Sequence, residues 1–273
     1  MTKQFLPSAI AVFDIDGVVR DVSGSYRRAL ADTVEYFTAQ AYRPTPVDID
    51  QLKSEGIWNN DWEASQELIY RYFQTQGQPR EQLQIDYNNV VSFFQSRYRG
   101  TDPDNFTGYI CNEPLLLQPS YLEHLTQAGI AWGFFSGATR GSANYILEKR
   151  LGLQSPVLIA MEDAPGKPDP TGLFATVHLL EKGYDCAERS AEGDRLPTVL
   201  YVGDTVADMY TVEKARNLHP QRTWIGVGVL PPHVQETATR RDAYAETLKK
   251  AGAAVVLSNV QELSPGKIQE LVS

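Results

Sequence analysis

The chain predicts an α/β fold, a Rossmann-like parallel sheet with helices on both faces, carrying an inserted all-helical domain. Three observations predict it. From Thr107 onward, short apolar runs alternate with helical patterns, the order expected of parallel strands joined by crossover helices. An earlier apolar run, Ala9 to Phe13, ends in Asp14-Ile15-Asp16-Gly17, and so reads as a buried first strand with two acids at its carboxyl end, where open α/β sheets bind ligands. Between these parts, the spacing of apolar residues is helical.

Taken in order, the first strand covers Ala9 to Phe13. Tyr26, Ala29, Leu30, Val34 and Phe37 then recur at helical spacing, as do Trp62, Leu68, Ile69, Tyr72 and Phe73, and Tyr87, Val90, Val91, Phe94 and Tyr98. Gly17 and Gly24 punctuate the entry to this stretch, and Gly100, Asp102 and Pro103 the exit. The division expected is therefore an α/β core from residues 1–20 and 107–273 with a helical cap at 21–106. Further strands are expected at Ile130 to Phe135, Val157 to Ala160, Thr198 to Val202, Thr223 to Val227 and Ala254 to Leu257. Crossover helices carry Ala143, Ile146, Leu147 and Leu151 before Gly152, and Leu173, Phe174, Val177 and Leu180 before Gly183. Residues 183–197 are polar without periodicity and read as a surface loop.

The 273 residues suit one large domain with an insertion, and 42% hydrophobic with 22% charged residues excludes global disorder. A net charge of −9 argues against nucleic acid and anionic membrane as partners. It leaves an anionic small molecule open, because a bound cation and one lysine can reverse the local field. Cys111 and Cys186 lack zinc-ligand spacing and read as inert thiols in a reducing compartment. With no signal sequence before Asp14 and no apolar run of bilayer length, the chain is expected to be soluble and cytoplasmic; a homo-oligomer is left open.

Four elements carry chemistry, each placed at a strand's carboxyl end. Asp14 and Asp16 are two residues apart, so one can attack phosphorus while the other handles the leaving group's proton; an Asp-Gly pair also ends strands for turn reasons. Ser136 and Gly137 pair a hydroxyl with a backbone N–H suited to a phosphoryl oxygen. In Gly166-Lys167-Pro168-Asp169-Pro170 the proline restricts the lysine, and Asp169 can cap a helix with Pro170 at its first position. Gly203-Asp204-Thr205-Val206-Ala207-Asp208 sets two carboxylates one helical turn apart, enough with a phosphate to hold magnesium, or else an N-cap and a solvated acid. That all four fall in this order by chance is improbable.

The ordered set resembles the haloacid dehalogenase-like hydrolase superfamily, in particular its phosphatase branch, whose helical cap lies between the first and second motifs. The resemblance covers essentially the whole chain. It implies Asp14 as nucleophile, Asp16 as general acid and base, Ser136 as the hydroxyl that binds the phosphoryl group and Lys167 as the cation that steadies nucleophile and phosphate. It further implies Mg2+ held by Asp14, the backbone carbonyl of Asp16 and Asp204, with Asp208 as a further acidic contact. Arg20, in Val19-Arg20-Asp21-Val22-Ser23, departs from the usual continuation and either adds positive charge near the site or lies in solvent.

Asp16 separates the reactions of the superfamily. An expelled alkoxide needs a proton, whereas halide does not, and the dehalogenating and phosphonate-cleaving relatives lack an aspartate there. The function expected is a magnesium-dependent phosphatase that hydrolyses a small phosphorylated metabolite through an aspartyl phosphate. A phosphomutase acting on a sugar phosphate shares the same four motifs, and a non-catalytic phosphate-binding module would share the fold. Trp58, Asn59 and Asn60, between two helical patterns of the cap, are the substrate-binding candidates there, because aromatic bodies beside amides suit a polar small molecule; capping of the next helix is the competing reading.

Overall fold

The computed structural model describes residues 7–58, 60–102, 105–182 and 196–273. The chain divides into two compact units, one of Met1–Asp21 with Leu115–Ser273 and the other of Val22–Pro114. The expected surface loop at 183–197 and Cys186 lie largely or wholly outside the described residues.

Strand β1 (Ala9–Phe13) opens the first unit, and all five of its residues are buried, as a central strand covered on both faces requires. The second unit is helical: α1 (Tyr26–Phe37), α2 (Pro46–Ser54), α3 (Asp61–Thr75) and α4 (Tyr87–Tyr98). Their starts are written locally. Thr45 and Asp48 form a capping box at α2, Asn60 caps α3 through the N–H groups of Trp62 and Glu63, and Asp86 caps α4. Tyr26 stacks on Tyr98 at 4.0 Å between centroids, joining α1 to α4.

This unit runs on to Pro114, past the sequence-based boundary at residue 106. Thr107 and Gly108 donate to the carbonyl of Arg99 at 2.8 and 2.9 Å. Tyr109 donates to Asp32 at 2.6 Å, and buried Ser25 donates to buried Glu113. These contacts join positions far apart in the chain, so no local pattern marks the boundary. Cys111 is unpaired by disulfide and half-buried, with its sulfur 3.0 Å from the carbonyl of Phe106.

Back in the first unit the order is α5 (Pro119–Gln127), β2 (Ile130–Phe135), α6 (Arg140–Asn144), β3 (Leu158–Ile159), α7 (Thr171–Lys182), β4 (Thr198–Gly203), α8 (Val206–Leu218), β5 (Trp224–Val229), α9 (Ala238–Lys250), β6 (Ala253–Leu257) and α10 (Pro265–Val272). The six strands are parallel in the order β3-β2-β1-β4-β5-β6. β3 is shorter than the run Val157 to Ala160 suggests, because the N–H of Ala160 goes to the Asp163 carboxylate at 2.7 Å and ends the ladder there. The apolar stripe of Ala143 to Leu151 is helical, though α6 passes into a π-helical turn at Tyr145–Arg150.

Both faces of the sheet are covered. Ile10 and Val12 of β1, Phe135 of β2 and Tyr201 of β4 pack with Leu173, Val177 and Leu180 of α7 and Val212 of α8. Phe13, pointing the other way, meets Tyr121 of α5 edge to face at 6.2 Å. Fully burying a side chain of this size stabilises by about 2–3 kcal/mol. The consequence for function is positional: the chain passes from β1 outward through β2 and β3, then returns to β4 on the opposite side. The carboxyl ends of β1 and β4 therefore flank a topological switch point, where a crevice opens in sheets of this kind.

Candidate active site

Asp14 follows the last residue of β1, and its N–H still bonds to the carbonyl of Val202 on β4 at 2.8 Å. The sheet itself thus fixes this carboxylate between the two strands. One of its oxygens accepts from the N–H of Ile15 at 2.7 Å, and the other lies 2.8 Å from Nζ of Lys167. The lysine's ammonium also lies 2.7 Å from Oδ1 of Asp208. One cation thus ties the first motif to the fourth.

Asp208 is fully buried and has donors on both oxygens: Lys167 and the Tyr201 hydroxyl on Oδ1, the N–H and hydroxyl of Thr205 on Oδ2. The bond from the Thr205 N–H, with the return bond from the Asp208 N–H to the Thr205 hydroxyl oxygen, makes a capping box at the start of α8. Thr205, rather than Asp204, is therefore the N-cap, and Asp208 is a braced carboxylate whose work is to hold Lys167. Lys167 also stands over the rings of Phe135 and Tyr201, 5.3 and 5.4 Å from their centroids, which keeps the ammonium dry and aimed.

Asp204 stands in contrast. It is buried, yet its carboxylate accepts no hydrogen bond from the described residues; the contact from Tyr244 goes to its main-chain oxygen. A buried carboxylate without donors is costly unless a cation completes it. Oxygens of Asp14, Asp204 and Asp208 lie within 4.8 Å of one another. With Asp208 already engaged, Asp14 and Asp204 are the carboxylates that fit a hard divalent cation.

Electrostatics follow from this crowding. Burial raises the Asp14 carboxyl to about 7 against the pull of Lys167, with Asp208 and Asp16 adding to the rise. Burial, then the charges of Asp208 and Asp14, hold Asp204 well above the ordinary carboxylate range. At Asp208 burial acts upward, but Lys167 and Thr205 outweigh it and the group is lowered. Burial opposes the charge of Lys167, while Asp14 and Asp208 overcome it and raise the ammonium above its usual value.

Ser136 is buried at the end of β2, its main-chain N–H bonded to Ile159 and its hydroxyl accepting from the N–H of Ala138 at 3.1 Å. Gly137 is exposed, and a Cβ there would meet nothing within 4 Å. Asp169 accepts from the N–H of Thr171 at the start of α7, the capping role expected of it, and this contact lowers its carboxyl. Asp16 is not part of the acidic cluster: its Oδ1 accepts from Nε of Arg20 at 2.6 Å. Arg20 is fully buried, which removes the solvent-exposed reading.

The remaining candidates lie in the helical unit. Asn60 is committed to capping α3. Trp58 donates from Nε1 to Glu55 at 2.8 Å. Asn59 lies outside the described residues. Two further residues matter that sequence reasoning passed over: Tyr201 and Thr205. Thr205-x-x-Asp208 has the spacing of a capping box, which was a usable signal. Tyr201 reads as one more apolar strand position, so nothing marked it.

An acidic cluster and a lysine gathered at the switch point of a parallel sheet are what the resemblance seen in the sequence leads one to expect. A profile of the haloacid dehalogenase-like hydrolase family matches residues 9–216, and the chain belongs to that family. Among solved structures it is similar to phosphatase Tt82 from Thermococcus thioreducens, at TM-score 0.61 and 23% identity over 86% of this chain and 98% of that one. A hydrolase from Pseudomonas syringae aligns at TM-score 0.59 and 16% identity, covering 97% and 99% of the two chains. A chain described as a β-phosphoglucomutase from Thermotoga maritima aligns at TM-score 0.57 and 15% identity, covering 96% and 99%. At these identities the likeness is one of fold. An imidazoleglycerol-phosphate dehydratase of Phytophthora nicotianae is 28% identical over 259 residues, 92% of this chain, which spans 50% of that protein's length. No helix among the described residues is long and apolar enough to cross a membrane.

Proposed function

We propose that this hydrolase is a magnesium-dependent phosphatase that releases phosphate from a small phosphorylated metabolite through an aspartyl phosphate at Asp14. The observation that carries the reading is the triad Asp14, Lys167 and Asp208, with ion-pair distances of 2.8 and 2.7 Å, beside the Asp204 carboxylate, which accepts no hydrogen bond from the described residues.

Lys167 neutralises charge where nucleophile and phosphoryl oxygen meet, and Asp208, braced by Thr205 and Tyr201, keeps it aimed. The Ser136 hydroxyl and the Gly137 N–H supply donors for phosphoryl oxygens. A carboxylate oxygen of Asp14 attacks phosphorus and displaces the alcohol, whose oxygen takes the proton of Asp16; Asp16 then accepts a proton from the water that cleaves the acyl phosphate. Asp14, the main-chain carbonyl of Asp16 and Asp204 would hold Mg2+, which would offset the charge of the phosphoryl group. The core groups address only that group, so selectivity is assigned to Trp58 and Asn59 of the helical unit, with Asn60 left to cap α3. The net charge of −9 supports a small-molecule substrate over nucleic acid.

Phosphate release from p-nitrophenyl phosphate in magnesium, by the wild type and Asp14→Asn, tests the reading, with circular dichroism confirming the fold. A wild type that turns over and a folded but inactive variant are expected. Retained turnover in Asp14→Asn removes this residue from the nucleophile's role. A panel of phosphate monoesters, including imidazole-bearing ones in view of the Phytophthora relative, then ranks substrates.

A further inference from the structure

Arg20 is fully buried, and the N–H groups of a buried guanidinium need acceptor oxygens. One is on Asp16: Nε donates to Oδ1 at 2.6 Å and Nη2 stands 2.5 Å from the same oxygen. The backbone makes the pairing rigid. The N–H groups of Val19 and Arg20 bond to the carbonyl of Ile15 at 2.8 and 3.2 Å, and that of Gly17 to the carbonyl of Arg20 at 2.9 Å. The returning chain pins the same turn, with Leu116 donating to Val19 at 2.8 Å and Arg20 bridged to Leu115. Both guanidinium contacts to Asp16 fall on Oδ1, and Oδ2 of Asp16 takes no hydrogen bond from the described residues. The Asp16 side chain is 28% exposed where that of Arg20 is 0%.

We propose that Arg20 is a positioning residue for Asp16: it grips one carboxyl oxygen from the buried side and presents the other to the leaving group. The inference rests on the phosphatase reading and deepens it. When Asp14 forms its bond to phosphorus and the bond from phosphorus to the leaving oxygen breaks, the proton of Asp16 passes to that oxygen. Asp16 is left as a carboxylate facing the guanidinium, held in place for the water that follows.

Leaving-group dependence tests this, because an ester that expels a weakly basic phenoxide needs no proton donor. First-turnover release from phenyl phosphate and from 2,4-dinitrophenyl phosphate is measured in magnesium for the wild type, Arg20→Gln and Arg20→Lys. Loss of an oriented acid lowers the phenyl phosphate rate in Arg20→Gln by roughly 10- to 100-fold and the dinitrophenyl rate by less than about threefold, with Arg20→Lys between variant and wild type. In an Asp16→Asn background, Arg20→Lys has no further effect. Arg20→Lys keeps charge and bulk, and decides the matter if Arg20→Gln does not fold. Equal losses on the two esters by a folded variant, undiminished rates in both variants, or a persisting Arg20→Lys effect in the Asp16→Asn background overturns the proposal while leaving the phosphatase reading intact. A wild type inactive on both esters overturns the two together.

Discussion

A Cβ placed on Gly17 would fall 2.0 Å from Oδ2 of Asp204. The turn after β1 therefore approaches the fourth-motif carboxylate so closely that no side chain fits between them. The glycine also adopts φ +73°, a conformation that L residues rarely take. Gly17→Ala is expected to displace Asp204, with a stability cost of about 1 kcal/mol or more from backbone strain alone. Half-saturation by magnesium should move up at least about tenfold, as for other changes that disturb a metal ligand's support. Activity titrated against magnesium, beside a thermal melt, checks this; an unchanged titration curve refutes the close approach.

Lys167 serves two buried carboxylates at once, so its removal strands both. Lys167→Met is expected to lose about 3–5 kcal/mol of stability in the metal-free protein, the usual cost of leaving a buried charge unpaired. Urea unfolding in chelator measures it. Turnover should vanish as well. A variant as stable as the wild type would show that Asp14 and Asp208 do not depend on the ammonium.

Much of this site is legible in the sequence because its chemistry is written in residue types at strand ends. Asp14, Ser136 and Asp204 each follow an apolar run and Lys167 lies in the loop after one, and a parallel sheet brings such positions to one edge. What the sequence does not show is which side chains those groups touch. Arg20 could be read as solvated or as near the site, since burial is set by the return of Leu115 and Leu116 beside it. Asp204 resembles an N-cap until Thr205 is seen to hold that place. The end of the helical unit slips past residue 106 because Tyr109 and Glu113 bond to Asp32 and Ser25, pairings that no periodicity announces.

Tyr201 is a finer probe. Its hydroxyl lies 3.1 Å from Oδ1 of Asp208 and 3.3 Å from the carbonyl of Phe135, in a fully buried setting. Tyr201→Phe keeps the ring under Lys167 and removes only this donor. A loss of about 1.5–3 kcal/mol is expected, since the hydrogen bond is to a charged group. Turnover should fall modestly, with KM unaffected, because Asp208 touches Lys167 rather than substrate. A large rise in KM instead would place Tyr201 against the ligand.

The pH dependence of the metal-free protein follows from opposing shifts. Asp14 is raised to about 7 and Asp204 well above its usual range. Each therefore binds a proton in the folded state that it has lost in the unfolded chain. Their contribution is fully present below the ordinary carboxylate pKa of about 4 and is lost as pH rises through the folded values. Asp208, lowered, works the other way: its contribution is present above the ordinary value and lost in acid. The metal-free protein should accordingly be most stable at mildly acidic pH and weaken towards about pH 8, where Asp14 and Asp204 both ionise beside Asp208 and the ammonium of Lys167 offsets three buried carboxylates. Asp204→Asn has no charge to desolvate, so it should raise the melting temperature of the metal-free protein more at about pH 8 than at about pH 5. Magnesium should stabilise the wild type more at the higher pH, because protons no longer compete for the ligands, and should do little for Asp204→Asn. Melting curves at the two pH values, with magnesium and with chelator, measure all of these. A variant that melts below the wild type at high pH, or a magnesium effect that is the same at both pH values, would mean that Asp204 is satisfied without a cation.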